Sequence, residues 1–283
     1  KCPGACTMLI DLHVHTNRYS SCGNSTPEEM AQSALEHGLD GIVLTEHNVT
    51  WPPDELAELR ASFPKLLILS GIELTSDEGD DYLVLGISPQ SWFAPRLPAE
   101  EIVGHSQRLG GVVILAHPYR YRDQVPETLA TCPVDGIEVA SCNMHGAASD
   151  GAARLVQALG VFPVWNSDAH HRRDVGLYAN TVPERINNEE QLATALASRK
   201  ACPHADAARI TAVNAAWRRH LPTIRQLIAQ GVDDADIRAA VSTRVGYSDL
   251  YAIRNGLEVQ RPLPPWQPEA VQTATSAARH GCA

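Results

Sequence analysis

The stretch MLIDLHVHT, residues 8–16, places His13 and His15 one residue apart at the end of an apolar run. Side chains alternate across a strand, so the two imidazoles point to the same side. Four further segments end the same way: TEHN with Glu46 and His47, GIEL with Glu73, AHPYR with His117, and SDAH with Asp168 and His170. A single histidine after a strand is usually a hydrogen-bonded loop residue. Five separated segments that each end in imidazole or carboxylate argue for one shared site. Imidazole and carboxylate together are the ligand set of zinc, manganese or iron, and more than four such ligands imply more than one ion.

The elements that must carry these residues alternate along the chain. Strand patterns fall at 8–15, 40–47, 65–74, 81–87, 111–118, 134–141 and 161–170. Helical patterns lie between them. TPEEMAQSALEHG (26–38) has a threonine cap, a proline in its first turn and a terminal glycine. PPDELAELRASF, LPAEEIVGHSQRLGG, SDGAARLVQALG and NNEEQLATALASRK follow. Apolar strands each followed by an amphipathic helix predict an α/β fold with a mostly parallel sheet, and seven of them suggest an open or distorted (β/α) barrel. In parallel α/β sheets the carboxyl ends of the strands share one rim, where sites assemble.

Composition narrows the function classes. The 283 residues are 44% apolar with 20% charged, ordinary for a globular protein. No apolar run approaches the roughly 20 residues of a membrane span, so no membrane partner is expected. The opening KCPGACT has no apolar signal-peptide core, and the seven cysteines are scattered without CxxC spacing. A reducing cytoplasm is the expectation. The net charge of −10 divides into −14 over residues 1–198 and +4 over 199–283. An acidic body is no obvious electrostatic nucleic-acid binder, and the basic tail suggests a second job.

In their order, DLHVHT, TEHN, GIEL, AHPYR, DGIEV and SDAH resemble the polymerase and histidinol phosphatase (PHP) superfamily over roughly residues 8–203. The resemblance implies a distorted seven-stranded (β/α) barrel with two or three divalent metal ions (Mn, Zn or Fe) that hydrolyses phosphoesters. It further implies that His13, His15, Glu73 and Asp168 hold a first metal, that Glu73 bridges to a second bound also by His117, and that His47 and His170 hold a third. Two ions about 3.5–4 Å apart can share a water and lower its pKa towards 7, which makes a metal-bridging hydroxide the expected nucleophile. Glu73, Asp168, His170 and Arg120 are the expected catalytic residues.

The sequence departs from the family pattern after the HxH pair, where many members place another ligand. Here the chain reads NRYSSCG, with Ser20 and Ser21 at that place. Cys22 is a substitute, but an isolated thiol beside a hard, oxygen-rich site reads as a bystander. After IEV, where some members supply a histidine, His145 is the candidate ligand, with Asn143 and Glu138 as rivals. Glu46 stands where the family commonly has aspartate; adjacent to His47 on a strand, it should face away and support the site from behind. His171 should likewise face away from His170. Arg120 and Arg122, directly after His117, and Arg18, after His15, are the candidate phosphate clamps, because guanidinium binds phosphate bidentately.

Residues 204–283 read as a helical extension with a proline-rich tail. Residues 221–259 divide into three helices broken at Gly231 and around TRVGYS, with Asp233 and Ser248 as caps. This is either a small cap on the barrel or a helix-turn-helix unit whose Tyr251, Arg254 and Asn255 reach nucleic acid. The expected activity is phosphoester hydrolysis on a nucleotide or nucleic acid. The alternatives are a phosphatase of a small phosphomonoester such as histidinol phosphate, and an inactive metal-stabilised binding module. Oligomeric state cannot be read from the sequence.

Overall fold

The computed structural model describes residues 7–87, 94, 96–241 and 245–263. Its strands are β1 (Met8–Val14), β2 (Gly41–Leu44), β3 (Leu67–Ser70), β4 (Ile72–Thr75), β5 (Asp81–Leu85), β6 (Val112–Leu115), β7 (Gly136–Ala140), β8 (Phe162–Trp165), β9 (Tyr178–Val182) and β10 (Cys202–Ala205). The helices are α1 (Pro27–Glu36), α2 (Pro53–Ser62), α3 (Ala99–Arg108), α4 (Gly146–Leu159), α5 (Glu189–Ala197), α6 (Ala207–Ala229), α7 (Asp234–Ala240) and α8 (Tyr247–Arg254). The helix starts follow the local chemistry. Thr26 and Glu29 close a reciprocal capping box on α1, and Asn188 and Asp206 cap α5 and α6.

The α/β expectation holds, but among the described residues there is no continuously hydrogen-bonded seven-stranded barrel. The strands form two five-stranded sheets, in the orders β10-β9-β1-β2-β3 and β4-β5-β6-β7-β8. The run at 65–74 is two strands, divided at Gly71. A side chain on Gly71 would come within 2.7 Å of Leu85 and 3.1 Å of Thr45, so only glycine fits where the chain passes from one sheet to the other. Nor are the sheets mostly parallel. β4, β5 and β6 pair antiparallel, as do β10, β9 and β1. Five residues separate β4 from β5, fewer than the dozen or so that a parallel crossover needs. β9 and β10, short and partly polar, carry no strand signal strong enough to be read in advance.

Ile10, Leu12, Val43 and Leu69 of the first sheet meet Leu83, Leu85, Ile114 and Val164 of the second in one apolar cluster. Helices α1 and α2 cover the first sheet through Met30, Ala34, Leu56 and Leu59. Helices α3 and α4 cover the second through Ile102, Val103, Ala148 and Val156. At the strand ends, two isolated parallel bridges join the sheets, Val14 to Ala169 and His47 to Glu73. His13, His15, His47, Glu73, His117, Asp168 and His170 lie on this seam.

The extension is not detached from this frame. β10 crosses the 203/204 boundary to pair with β9, and Ile210 of α6 packs into the apolar cluster around α4. Asp233 caps α7 as expected, whereas α8 is capped by Gly246 rather than Ser248, with Asp249 accepting the Gly246 N–H. Arg244 and residues 264–268 of the proline-rich tail lie outside the described residues, as do Cys2, Cys6 and Cys282. Cys132 is held in a disulfide, which the scattered cysteine spacing did not announce. Among the described residues no helix is long and apolar enough to cross a membrane.

Trp217, Ile224, Ile237, Val241, Val245 and Leu250 form a small core of their own. Beside it, the buried carboxylate of Asp249 accepts two hydrogen bonds from the equally buried Arg261, at 2.5 and 3.0 Å. Removing one partner of such a pair leaves an uncompensated buried charge and costs about 3–5 kcal/mol. Arg261→Met should therefore lower the urea midpoint by that amount of stability, while Arg225→Met, on the exposed face of α6, should leave it unchanged.

Candidate metal centre

The seam gathers His13, His15, His47, Glu73, His117, Asp168 and His170. Three overlapping groups have ligand atoms within 4.8 Å of one another: His13 with His15 and Asp168, His13 with Glu73 and His117, and His15 with His47 and His170. Glu73 and Asp168 are fully buried, yet Glu73 Oε2 and Asp168 Oδ1 have no hydrogen-bond partner. Leaving such an oxygen unsatisfied in a low-dielectric interior costs several kcal/mol, on the order of 1–3 or more for a charged group. Both atoms face imidazole nitrogens. Glu73 Oε2 lies 3.2 Å from His15 Nε2 and 2.8 Å from His47 Nδ1, and Asp168 Oδ1 lies 3.3 Å from His13 Nε2.

Hydrogen bonds behind the cluster fix which nitrogens face inward. His13 Nδ1 lies 3.1 Å from Glu138 Oε1, and an ionised carboxylate only accepts, so the proton sits on Nδ1. Ser20 Oγ donates to Glu46 at 2.5 Å, which leaves it to accept from His15 Nδ1 at 3.2 Å. The two Nε2 atoms are then both lone pairs in the neutral rings, and they stand 2.9 Å apart. Two lone pairs at that separation repel unless a proton or a metal ion lies between them. His170 Nδ1 similarly donates to the Asp168 carbonyl at 3.0 Å. A donor set of imidazole nitrogens and orphaned carboxylate oxygens, with His13, His15 and His170 oriented from behind, fits divalent metal binding.

The electrostatics agree with that fit. Burial opposes charge on His13, but Asp168, Glu73 and Glu138 outweigh it and hold its pKa well above the ordinary imidazole value. Burial would raise the carboxyl of Glu73, yet the surrounding imidazoles of His13, His117 and His15 hold it well below the usual range. Asp168 is held low in the same way, against its burial, by His13, His15, His170 and His117. The cluster demands positive charge, and without an ion only protons supply it.

Several supporting residues carry more of the site than their sequence positions suggested. Glu138, read as a rival ligand, orients His13 and also takes Asn166 Nδ2 at 2.8 Å and the His117 N–H at 3.0 Å. Asn143, the other rival, donates to Asp168 Oδ2 at 2.8 Å. Glu46 does face away from the ligand groups. It is buried, with Thr16 Oγ1 and Ser20 donating at 2.5 Å and Trp51 Nε1 at 3.2 Å. His117 and Asp168 have φ of +29° and +49°, a left-handed backbone that no sequence pattern announced and that strain at a functional site accounts for.

Other expectations are corrected. His145 joins none of the ligand groups; it caps α4, its Nδ1 accepting the Ala148 N–H at 3.2 Å. Arg18 pairs with Glu55 at 2.9 Å, away from the cluster, and Arg122 pairs with Asp80. Arg120 alone of the three reaches the centre, with Nη1 3.7 Å from Asp168 Oδ2 and Nη2 3.4 Å from Asp81. His171 caps a short 3₁₀ turn, as its outward position suggested. Of the helix-turn-helix residues, Tyr251 packs on Tyr121 and His145, Arg254 pairs with Asp234 at 2.7 Å, and Asn255 bonds the Tyr251 carbonyl. Tyr251 is thus turned to the body of the protein, while Arg254 and Asn255 stay exposed. A cavity of about 260 Å³ opens from His170 between the two parts, lined by Asn143, Arg173, Tyr178, Ile210 and Arg238.

With this geometry in place, comparison with known proteins assigns the class. Residues 11–131 match the family model of the PHP domain and residues 147–201 that of the PHP-associated domain. The chain belongs to the PHP family, whose phosphoesterases are metal-dependent hydrolases. Its fold is similar to that of a two-domain protein containing a predicted PHP-like metal-dependent phosphoesterase from Bacteroides vulgatus, with 18% identity, TM-score 0.58, and 72% of this chain and 67% of that one covered. PsfC from Pseudomonas syringae is similar at 18% identity, TM-score 0.55, with 72% and 93% covered. The lesion-specific endonuclease EndoQ of Pyrococcus furiosus is similar at 19% identity, TM-score 0.52, with 68% and 56% covered. No curated protein sequence matches the chain.

Loss of an orienting partner behind a metal ligand typically weakens metal affinity about 10–100-fold. Glu138→Ala removes no proposed ligand, yet it should weaken zinc binding by that factor, measured by competition with a chelating dye on protein that keeps its far-ultraviolet circular dichroism.

Proposed function

We propose that this chain hydrolyses phosphoester bonds of a nucleotide or nucleic acid with two or three divalent ions held by His13, His15, His47, Glu73, His117, Asp168 and His170. The observation that carries the reading is the pair of buried, unpartnered carboxylate oxygens on Glu73 and Asp168, facing imidazole nitrogens. Bound ions would supply Lewis-acid polarisation of the phosphoryl group and a water acidified towards neutral pH. The chain's own residues do the rest. Glu73 stands between the His13–His117 and His15–His47 sides, 2.8 Å from His117 Nε2 through Oε1 and 2.8 Å from His47 Nδ1 through Oε2. It is therefore the carboxylate able to bridge two ions. Arg120, beside Asp168, binds a non-bridging phosphoryl oxygen. Where no third ion is bound, His170, partly exposed at the mouth of the cavity, would give a proton to the leaving oxygen; where one is bound, that ion would assist the leaving oxygen instead.

The cavity favours a nucleotide over a bare phosphomonoester. Beyond His170 it offers an apolar wall of Leu177, Tyr178, Ile210 and Val213 with the guanidinium groups of Arg173 and Arg238 at its edges. A planar base with a second phosphate matches that lining. The likeness of the fold to the Pyrococcus furiosus lesion-specific endonuclease supports the nucleic-acid reading. A small phosphomonoester, the alternative substrate, would leave the cavity unfilled.

The test is a hydrolysis screen of metal-stripped protein reloaded with manganese, zinc or iron, over p-nitrophenyl phosphate, bis-p-nitrophenyl phosphate, nucleotides and short oligonucleotides. Activity on nucleotides or oligonucleotides is expected, with Glu73→Gln at background. Arg120→Ala should lower kcat/KM by roughly 10–100-fold, the worth of a charge-assisted hydrogen bond of about 1.5–3 kcal/mol. Turnover confined to p-nitrophenyl phosphate would select the phosphomonoester reading, and wild-type rates in Glu73→Gln would remove Glu73 from the centre.

A further inference from the structure

Among the described residues only two aromatic side chains are exposed, Tyr121 at 48% and Tyr247 at 47%. Apolar side chains scattered singly over a surface need no explanation. These two are not scattered. Tyr121 follows Arg120, whose guanidinium lies 4.9 Å from its ring centre and reaches Asp168 Oδ2 at 3.7 Å. Tyr247 opens α8, and Arg238 lies 4.2 Å from its ring centre while lining the cavity that opens from His170. One tyrosine thus borders the metal centre and the other the cavity, each with a guanidinium over its ring. Neither Arg120 nor Tyr121 lines that cavity, so the centre has two separate surfaces for organic groups. A mononucleotide has one base and can occupy only one of them.

We infer that Tyr121 and Tyr247 are stacking platforms for two unpaired bases, and that the substrate is a single-stranded nucleic acid rather than a mononucleotide. The inference rests on the proposed phosphoesterase reading and narrows its substrate to an unpaired strand.

Both platforms are held by their neighbours. Tyr251 meets Tyr121 in a T-shaped contact, with ring centres 6.3 Å apart and planes at 86°, and Tyr251 in turn stacks on His145. Arg238 donates through Nε to the Val245 carbonyl at 3.0 Å, which fixes its guanidinium against Tyr247. A ring fixed before binding loses little rotamer freedom when a base lands on it. The pairing of ring and guanidinium suits nucleic acid of any sequence. Every base has a π face for the tyrosine, and the arginine beside it attracts the adjoining phosphate. In a duplex those faces are covered by neighbouring bases, and exposing one costs unstacking and unpairing energy. An unpaired strand avoids that cost.

The probes are single-stranded oligonucleotides and their duplexes, with the full-length protein reloaded with metal. Wild type should cleave the single strand faster than the duplex. Tyr121→Leu, which keeps apolar bulk but has no π face, should lower kcat/KM on the single strand about 5–100-fold, the worth of one base–aromatic stack, and Tyr121→Phe should not. An abasic site moved along the strand should, at one position, cost wild type the same factor and cost Tyr121→Leu nothing further. Tyr247→Leu should behave in the same way at a second position. A loss in Tyr121→Leu that persists at every abasic position would mean that the ring only holds Arg120, and would overturn the inference. In the wild-type chain, iodouracil placed in the strand should photocross-link to Tyr121 and Tyr247, read by peptide mass spectrometry. That arm does not depend on any variant folding. Cross-links that avoid both tyrosines, or equal cleavage of duplex and single strand, would overturn the inference and leave the phosphoesterase standing. Wild-type protein that hydrolyses p-nitrophenyl phosphate yet neither binds nor cleaves any oligonucleotide would overturn the nucleic-acid reading itself, and the inference with it.

Discussion

Two anionic carboxylates lie buried at the junction of two sheets, and their charge must be balanced there. Glu73 comes from the second sheet, and Asp168 from the turn after its last strand. Each presents an oxygen that no hydrogen bond satisfies. In a low-dielectric interior such groups are tolerated only when paired or bound to metal. The five imidazoles around them supply lone pairs or protons according to what fills the space between. The fold brings four strand ends and a left-handed turn at Asp168 to within a few ångströms to achieve this.

That demand extends to the residues behind the ligands. Glu138 holds His13 from one side, and Glu46, through Ser20, holds His15 from the other. Each of these carboxylates collects further donors, Asn166 and the His117 N–H for Glu138, Thr16 and Trp51 for Glu46. A ring nitrogen fixed by an acceptor behind it turns its other nitrogen forward. Ser20, which stands where a family ligand is expected, is thus committed to orientation.

The helical extension meets the same edge of the site. Its α8 lays Tyr251 against His145 and Tyr121, and Asp249 is neutralised by Arg261, whose backbone N–H bonds Asn214 of α6. The cavity beside His170 exists because α6 and the turn before α8 stand off from the body there. The three-helix unit, which turns Tyr251 inward, acts as one wall of a cleft.

Much of the centre was legible in the sequence. Alternation alone places His13 and His15 on one side of β1. The apolar runs before Glu73, His117 and Asp168 mark these residues as strand-end positions. The helix caps of α1 and α7 could also be read, because they depend on side chains within a single turn. What the sequence could not decide required long-range contacts. Gly71 divides one apolar run between two sheets only because Leu85 and Thr45 crowd it from elsewhere in the chain. The antiparallel β9 and β10 are strands because β1 offers an edge, not because their residues favour one. Glu138, equally plausible as a ligand by spacing, became a support because His13 reached it first across 125 positions. His145 was drawn into capping α4, and Arg18 and Arg122 into pairs with Glu55 and Asp80. Local pattern sets which face a side chain occupies; which partner it finds there is settled by residues distant in sequence that arrive only when the sheets close on one another.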